Sequence, residues 1–450
     1  MSQALLTDLY QLTMGQAYWK TGMADRESVF HLFFRKLPFG SGFAVAAGLA
    51  PAMDWVRALR FSAEDLDYLR HQTAEDGSPL FRPAYLAHLR DFCAKLDIDA
   101  VPEGTPVFPN EPILRVRGPL LAAQLVETAL LNVINFQTLI ATKAARVRHV
   151  AGADTVLEFG LRRAQGPDGG VSASRAAFLG GVDATSNVLA GQTFGIPVRG
   201  THAHSLVMAF EDERAAFAAY ADAMPHNCTL LVDTYDTVQG TRHAIEVGLA
   251  LRSRGHRLAA IRLDSGDLLA LSRTARLLLD EAGLTDTAIV ASSDLDETKI
   301  AELKAAGAPI AIWGVGTRLV TGHDQPALGG VYKLSAIRGP AGTWEDRAKR
   351  SSDPIKASIP GILQVRRRSD GDILYDERWG CDGAGGSDLL VPVLRNGGSV
   401  GSLPTLPEAR AHAAACIRAL PEGTRRINDP IAWPVHLEPR VHARRMELLA

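Results

Sequence analysis

Short apolar runs alternate with helix-spaced stretches across the centre of the chain. The runs 155–159 (TVLEF), 196–200 (IPVRG), 229–233 (TLLVD), 258–263 (LAAIRL), 288–292 (AIVAS), 310–313 (IAIW) and 330–336 (GVYKLSA) read as strands. Helical spacing fills 205–224, 241–253, 267–282 and 297–306 between them. Strand–helix alternation of this kind predicts a parallel sheet, closed as a barrel or open and doubly wound. Upstream, 28–34 (SVFHLFF) reads as a strand, 50–59 and 63–69 as helices, and 101–118 as short strands broken by Pro and Gly turns. Residues 120–147 form one long helical pattern, with Leu121, Leu125, Ala129, Val133, Phe136 and Ile140 on a buried face. Lys143, Arg146 and Arg148 gather at its end, where the helix dipole favours cations. Beyond 340, ILQVRRR and DLLVPVL read as strands, with Arg366–Arg368 as a solvated face.

The polar residues that follow the strands favour the barrel. Glu158 and Arg162, Thr201 and His204, Asp233 and Asp236, Asp264 and Asp267, Ser292 and Asp294, and Gly314, Gly316 and Thr317 each stand at or just past a strand end. A barrel spreads its chemistry over the C-terminal ends of many strands, whereas an open sheet concentrates it at one switch point. Three regions are expected: 1–118, a barrel over 119–340, and 341–450 packing back on the first.

With 450 residues and ~150 per domain, up to about three domains fit. Hydrophobic residues are 46% and charged residues 22%, an ordinary globular balance. Lys+Arg 48 against Asp+Glu 50 leaves a net charge of −2, so no broad field attracts nucleic acid or an anionic membrane. The four cysteines make no C-x-x-C pair, so no zinc knuckle or disulfide framework is expected. The most apolar stretch, 120–142, carries Gln124, Glu127, Asn132, Asn135 and Gln137 and is too polar to span a membrane. The N-terminus lacks the layout of a signal peptide, so a cytoplasmic protein is expected.

The strand-end residues suggest a chemistry. Backbone N–H groups of the 311–317 turn (AIWGVGT) can close on a phosphate, with Thr317 adding a hydroxyl. Side chains alternate along a strand, so Arg262 and Asp264 share a face. Carboxylates beside an Arg suit a sugar diol, a Mg²⁺-bound diphosphate or an anionic substrate. Asp264 or Ser265 also reads as a helix cap. The turn GTHAHS (200–205) holds two histidines, and a histidine titrates near neutrality and serves as base, ligand or nucleophile. Phe159 with Arg162 and Arg163 offers a ring face and cations for a flat anionic ring. Phosphates, a diol, a planar acid and a reactive His together point to phosphoribosyl transfer.

Eight motifs carry a family resemblance: LLTDLYQLTMGQAYW (5–19), QLVETALLNVINFQTLIATKAAR (124–146), EFGLRRAQGPDGG (158–170), GTHAHS (200–205), LLVDTYDT (230–237), IRLDSGD (261–267), WGVGT (313–317) and GGVYKLS (329–335). With them, and with SSDPIKASIPG in the tail, the chain resembles the nicotinate phosphoribosyltransferase family along nearly its whole length. The resemblance implies an irregular TIM-like α/β barrel of the type II phosphoribosyltransferase fold. A second α/β domain would be built from N-terminal and later segments. It implies that nicotinate and 5-phosphoribosyl diphosphate give nicotinate mononucleotide and diphosphate, with Mg²⁺. ATP hydrolysis would be coupled through a phosphohistidine, in a homodimer with sites at its interface.

Carried over by position, the resemblance makes His204 the phosphohistidine and assigns no role to His202. Thr201 and Arg262 would bind nicotinate, with Tyr10, from the other subunit, and Phe159 stacking on its two faces. Arg162 would hold a carboxylate or phosphate. Asp233 and Asp264 would hold the ribosyl diphosphate and act in catalysis, while Gly314, Gly316 and Thr317 hold its 5-phosphate, with Lys333 a further phosphate ligand. No direct metal ligand is assigned. The related nicotinamide phosphoribosyltransferases place an Asp near the ring amide, where this chain has Ser186; a carboxylate there would repel nicotinate, so the acid is the expected substrate. Quinolinate phosphoribosyltransferase fits less well, for want of a second basic cluster. A non-catalytic nucleotide sensor would have lost His204, Asp233 or Asp264, and all three are present.

Overall fold

The computed structural model describes residues 3–351, 357–381 and 385–450, so part of the SSDPIKASIPG motif lies outside the described residues. The chain divides into two units, one of residues 140–326 and one of 1–139 with 327–450. The cuts fall at 139/140 and 326/327 rather than at the expected 118/119 and 340/341. The reason is local. The early turns of the Glu127–Ala151 helix bury Ala129, Leu130 and Ile134 in the core of the larger unit. The run expected as a seventh parallel strand, 330–336, is instead Gly330–Arg338, antiparallel to Glu27–Phe34 in that same unit. The expected single helix over 120–147 is also two, Leu120–Leu125 and Glu127–Ala151.

The 140–326 unit holds six parallel strands: β1 (Thr155–Glu158), β2 (Ala184–Thr185), β3 (Cys228–Leu231), β4 (Leu258–Leu263), β5 (Ala288–Ala291) and β6 (Ile312–Val315). Their order is β2-β1-β6-β5-β4-β3. That is a barrel order, β6 returning to β1, with the seam between β2 and β3; a doubly wound sheet would reverse direction at a switch point. The result is a curled half-barrel. The expected strand at 196–200 would have stood in the seam, but it makes a single bridge, Thr185 to Val198. Pro197 lacks the N–H a ladder strand needs, and its carbonyl accepts from Thr185 N at 3.0 Å instead. Aspartates open the helices that follow: Asp236 caps Thr237–Ser253, Asp267 caps Leu268–Glu281 and Asp296 caps Glu297–Ala305, each accepting backbone N–H groups of the first turn.

Cations at the end of the long helix do more than answer its dipole. Lys143 Nζ and Arg146 Nε donate to buried Glu297 at 2.9 and 2.8 Å, and Arg148 Nε donates to Gly181 O at 2.9 Å. Burial pushes the Glu297 carboxyl up, but Lys143 and Arg146 outweigh it and hold the group below its usual range.

The other unit is built on a seven-stranded antiparallel sheet in which Glu27–Phe34 lies between Gly330–Arg338 and Leu114–Pro119, the middle strand. Val391–Arg395 from the C-terminal region pairs with Asp97–Ala100 in this sheet. Leu32, Phe34, Tyr85, Leu89, Ile98 and Val116 fill its core. His31 is buried on the opposite face of its strand, where its Nε2 accepts from Leu363 N at 3.3 Å, and burial drives its pKa down to about 3. Arg366–Arg368 are not a solvated face: Arg367 pairs with fully buried Asp372 at 2.6 Å and Arg366 with Asp388 at 2.9 Å. Among the described residues no helix is long and apolar enough to cross a membrane.

Candidate active site

The strand ends of the half-barrel carry the site. Arg262 near the end of β4 is its hub. Its NH1 donates to Thr201 Oγ1 at 3.0 Å, its NH2 to Asp264 Oδ1 at 2.9 Å and its Nε to Ser292 Oγ at 2.7 Å. Arg262 and Asp264 do share a face, as strand alternation requires. Ser292 Oγ in turn donates to Asp264 Oδ1 at 2.5 Å, so one hydroxyl binds both charged groups. The Arg262 guanidinium lies 5.4 Å from the centroid of the Phe159 ring, which follows β1.

Phe159 fixes what Gly314 must be. A Cβ on Gly314 would stand 2.7 Å from Phe159 Cδ2 and 3.1 Å from Ser292 Cβ. This glycine therefore makes room for the ring. Gly316 is looser, its Cβ meeting Phe159 O at 3.3 Å.

Phe159, Arg162 and Arg262 each line two cavities. One, of about 240 Å³, is also lined by Arg163, Asp264, Ser292, Ser293, Asp294, Gly314, Gly316 and Thr317. The other, of about 280 Å³, is also lined by Leu161, Ser186, Gly200, Thr201, His202 and Ala203. The first is polar and charged. The second has an aromatic and aliphatic wall, two arginines and no carboxylate among its lining residues.

His204 opens the short His204–Met208 helix. Its Nδ1 lies 3.2 Å from Thr234 Oγ1 and its Nε2 3.7 Å from Asp264 Oδ2. The neighbouring His202 is structural: its Nε2 accepts from Leu231 N at 3.1 Å, its Nδ1 faces Ala203 O at 3.3 Å, and its ring meets Tyr220 edge-on. Burial lowers its pKa, keeping it neutral, with the proton assigned by these bonds to Nδ1. Asp233, just past β3, stands behind Asp264. Its Oδ2 accepts from Asp264 N at 3.0 Å and Ser265 Oγ at 2.6 Å, while its Oδ1 is buried with no hydrogen-bond partner. Gly266, at φ +79°, makes the turn that returns the chain to the helix.

Some strand-end residues have purely structural work. Glu158 is buried and accepts from Gly160 N, Ser174 Oγ at 2.8 Å and Thr185 Oγ1 at 2.6 Å. The helix cap expected of Asp264 or Ser265 belongs to Asp267, and Asp236 caps its own helix, which frees Asp233 and Asp264 for the site. Of the expected residues, Phe159, Arg162, Thr201, Arg262, Asp264, Gly314, Gly316 and Thr317 line the two cavities, and His204 and Asp233 flank Asp264. Tyr10 and Lys333 belong to the other unit, where Tyr10 is exposed and its hydroxyl accepts from Gln11 Nε2 at 3.2 Å, and Lys333 acts electrostatically on Glu127. Ser292 and Asp294, expected only as polar residues past a strand end, line the first cavity together with Ser293, and Asp294 adopts φ +41°, a left-handed conformation that Asp tolerates better than most residues.

Comparison with known proteins agrees with this architecture. A model of the nicotinate phosphoribosyltransferase N-terminal domain matches residues 5–135, and one of its C-terminal domain matches 384–445. A nicotinate phosphoribosyltransferase of Bacillus subtilis is 49% identical over 387 residues, spanning 84% of this chain and 77% of its own. One of Mycobacterium tuberculosis is 44% identical over 442 residues, spanning 97% of this chain and 92% of its own. The crystal structure of human nicotinic acid phosphoribosyltransferase aligns with a TM-score of 0.86 at 35% identity, covering 98% of this chain and 99% of that one. Likeness of this extent, in sequence and in fold, means that the chain belongs to the nicotinate phosphoribosyltransferase family.

Proposed function

We propose that this chain joins nicotinate to 5-phosphoribosyl diphosphate, giving nicotinate mononucleotide and diphosphate, with ATP hydrolysis coupled through His204. The observation that carries the reading is the pair of cavities walled by Phe159, Arg162 and Arg262. One suits a flat acid and the other a phosphorylated sugar.

The second cavity takes the pyridine ring against Phe159, with its carboxylate directed to Arg262 and Thr201. Its lining offers two arginines and Ser186 but no carboxylate, which favours the acid over the amide. The first cavity takes the phosphoribosyl group, with Thr317 and the neighbouring backbone toward its 5-phosphate. In the reaction the anomeric C–O bond to diphosphate breaks and a C–N bond to the pyridine nitrogen forms. No proton moves. Positive charge grows on the ribose in between, and Asp264, backed by Asp233, stabilises it. Asp264, the carboxylate of the first cavity nearest the reacting centre, would face Mg²⁺ there, and the metal would neutralise the leaving diphosphate when bound.

His204 points Nε2 toward Asp264 while Nδ1 is engaged by Thr234, so Nε2 is the nitrogen left to take the γ-phosphoryl of ATP, with ADP leaving. The phosphohistidine would bring about −1.5 to −2 charges against Asp264. Repulsion there would shift the Asp264–Arg262 pair, linking phosphorylation to the substrate cavities. Val188, Leu189, Met208, Phe210 and Tyr235 are exposed apolar side chains of the same unit, and they support a homodimer. The test is a product assay on His204→Ala. ATP-stimulated turnover should vanish while slow ATP-independent transfer remains; ADP release still in step with product would remove His204 from this role.

A further inference from the structure

The unit formed by residues 1–139 and 327–450 contains its own cavity, of about 390 Å³. Ile359, Leu374, Val435 and Leu437 make an aliphatic wall, and Arg35 and Arg445 also line it. These two arginines depart from the habit of their unit. Arg115, Arg367 and Arg378 there each face a buried carboxylate, at 2.8, 2.6 and 2.6 Å. Arg35 and Arg445 make no ion pair among the described residues. Arg445 NH2 donates to Ala357 O at 3.1 Å, and the Arg35 guanidinium lies 5.8 Å from the Phe33 ring centroid. The Nε atom of each is buried without a hydrogen-bond partner. Burial also lowers the pKa of Arg445 below the usual arginine range.

Two guanidinium groups with no carboxylate partner among the described residues stand beside an aliphatic wall in this pocket. Arg35 and Arg445 are partly buried, each with its Nε shut off from solvent, and a partly desolvated cation is favoured by a pairing anion. Guanidinium forks match carboxylate and phosphate oxygens, and a cavity of this volume accommodates a small molecule. We propose that this cavity is a second small-molecule site, for an organic anion whose carboxylate or phosphate head meets Arg35 and Arg445 and whose apolar body fills the aliphatic wall. It is independent of the transferase reading, since none of its residues belongs to the half-barrel unit.

Calorimetric titration of the full chain tests it with phenyl phosphate, benzoate, inorganic phosphate and benzyl alcohol. The half-barrel cavities also attract anions, so the readout is the difference between wild type and Arg445→Gln or Arg35→Gln. Phenyl phosphate or benzoate should bind wild type with one equivalent more than either variant, and the tighter of the two identifies the head group. Leu437→Trp, which fills the cavity and keeps both charges, should lose the same equivalent. It also serves if the arginine variants do not fold. Basal transferase activity should be unchanged in all three. Identical stoichiometry in wild type and variants would overturn the site. An extra equivalent of inorganic phosphate or of benzyl alcohol would overturn the proposed ligand class, reducing it to a bare anion or a neutral apolar molecule.

Discussion

Ser292 and Gly314 show how little of this site can be altered without consequence. Ser292 Oγ accepts from Arg262 and donates to Asp264, so Ser292→Ala unties both from one another's geometry. A hydrogen bond to a charged group contributes about 1.5 kcal/mol or more. We therefore expect kcat/KM for nicotinate to fall about tenfold in Ser292→Ala, with the urea midpoint little changed; an unaltered kcat/KM would show that Ser292 does not position the pair. Gly314→Ala would press a methyl group into the Phe159 ring, and the ring would have to move. A KM for nicotinate raised at least tenfold (~1.4 kcal/mol) is the expected result, and an unchanged KM would contradict stacking on Phe159. At this scale the sequence was legible only in part. Alternation put Arg262 and Asp264 on one face. It could not tell Asp233 and Asp264 from Asp236 and Asp267, because an aspartate just past a strand end serves equally as a cap or as a ligand. Only the direction of the backbone decides between them.

Elements were more legible where a single helix or strand buries its own face. The helices at 49–58 and 63–70 and the central strands fell near their expected places. Pairing partners were not legible, and 330–338 looks like any barrel strand until it is seen against Glu27–Phe34. The cations of the long helix likewise read as dipole partners, since Glu297 is 154 residues from Lys143. That triad is a stability element. Glu297→Gln would leave Lys143 and Arg146 without their shared carboxylate, and removing one partner of a buried pair costs about 3–5 kcal/mol. A urea midpoint that stays put would contradict this. His31 makes the Glu27–Phe34 strand of the other unit acid-sensitive. Its folded pKa is depressed to about 3 from 6.5, so the folded state refuses a proton that the unfolded state accepts. The stability this gives is complete above 6.5 and is lost as pH falls from 6.5 toward about 3, by up to ~1.4 kcal/mol per pH unit. In His31→Gln, whose amide oxygen can still accept from Leu363 N, stability should fall less between pH 7 and pH 5 than in the wild type.

For the whole molecule, the barrel order of β1 to β6 brings residues from across the 158–317 stretch to one end of a sheet. This is why isolated motifs of low specificity became informative together. The seam between β2 and β3 was hidden, because a proline in an otherwise strand-like run is a small signal. So assembled, the cavities are built to transfer a phosphoribosyl group to nicotinate. The most direct measurement is product formation by the purified full chain with Mg²⁺ and 5-phosphoribosyl diphosphate. Nicotinate, nicotinamide and quinolinate would be supplied separately, each with and without ATP. Nicotinate mononucleotide from nicotinate alone, formed faster with ATP, is the predicted result. Turnover of nicotinamide in its place, or of none of the three, would contradict the account.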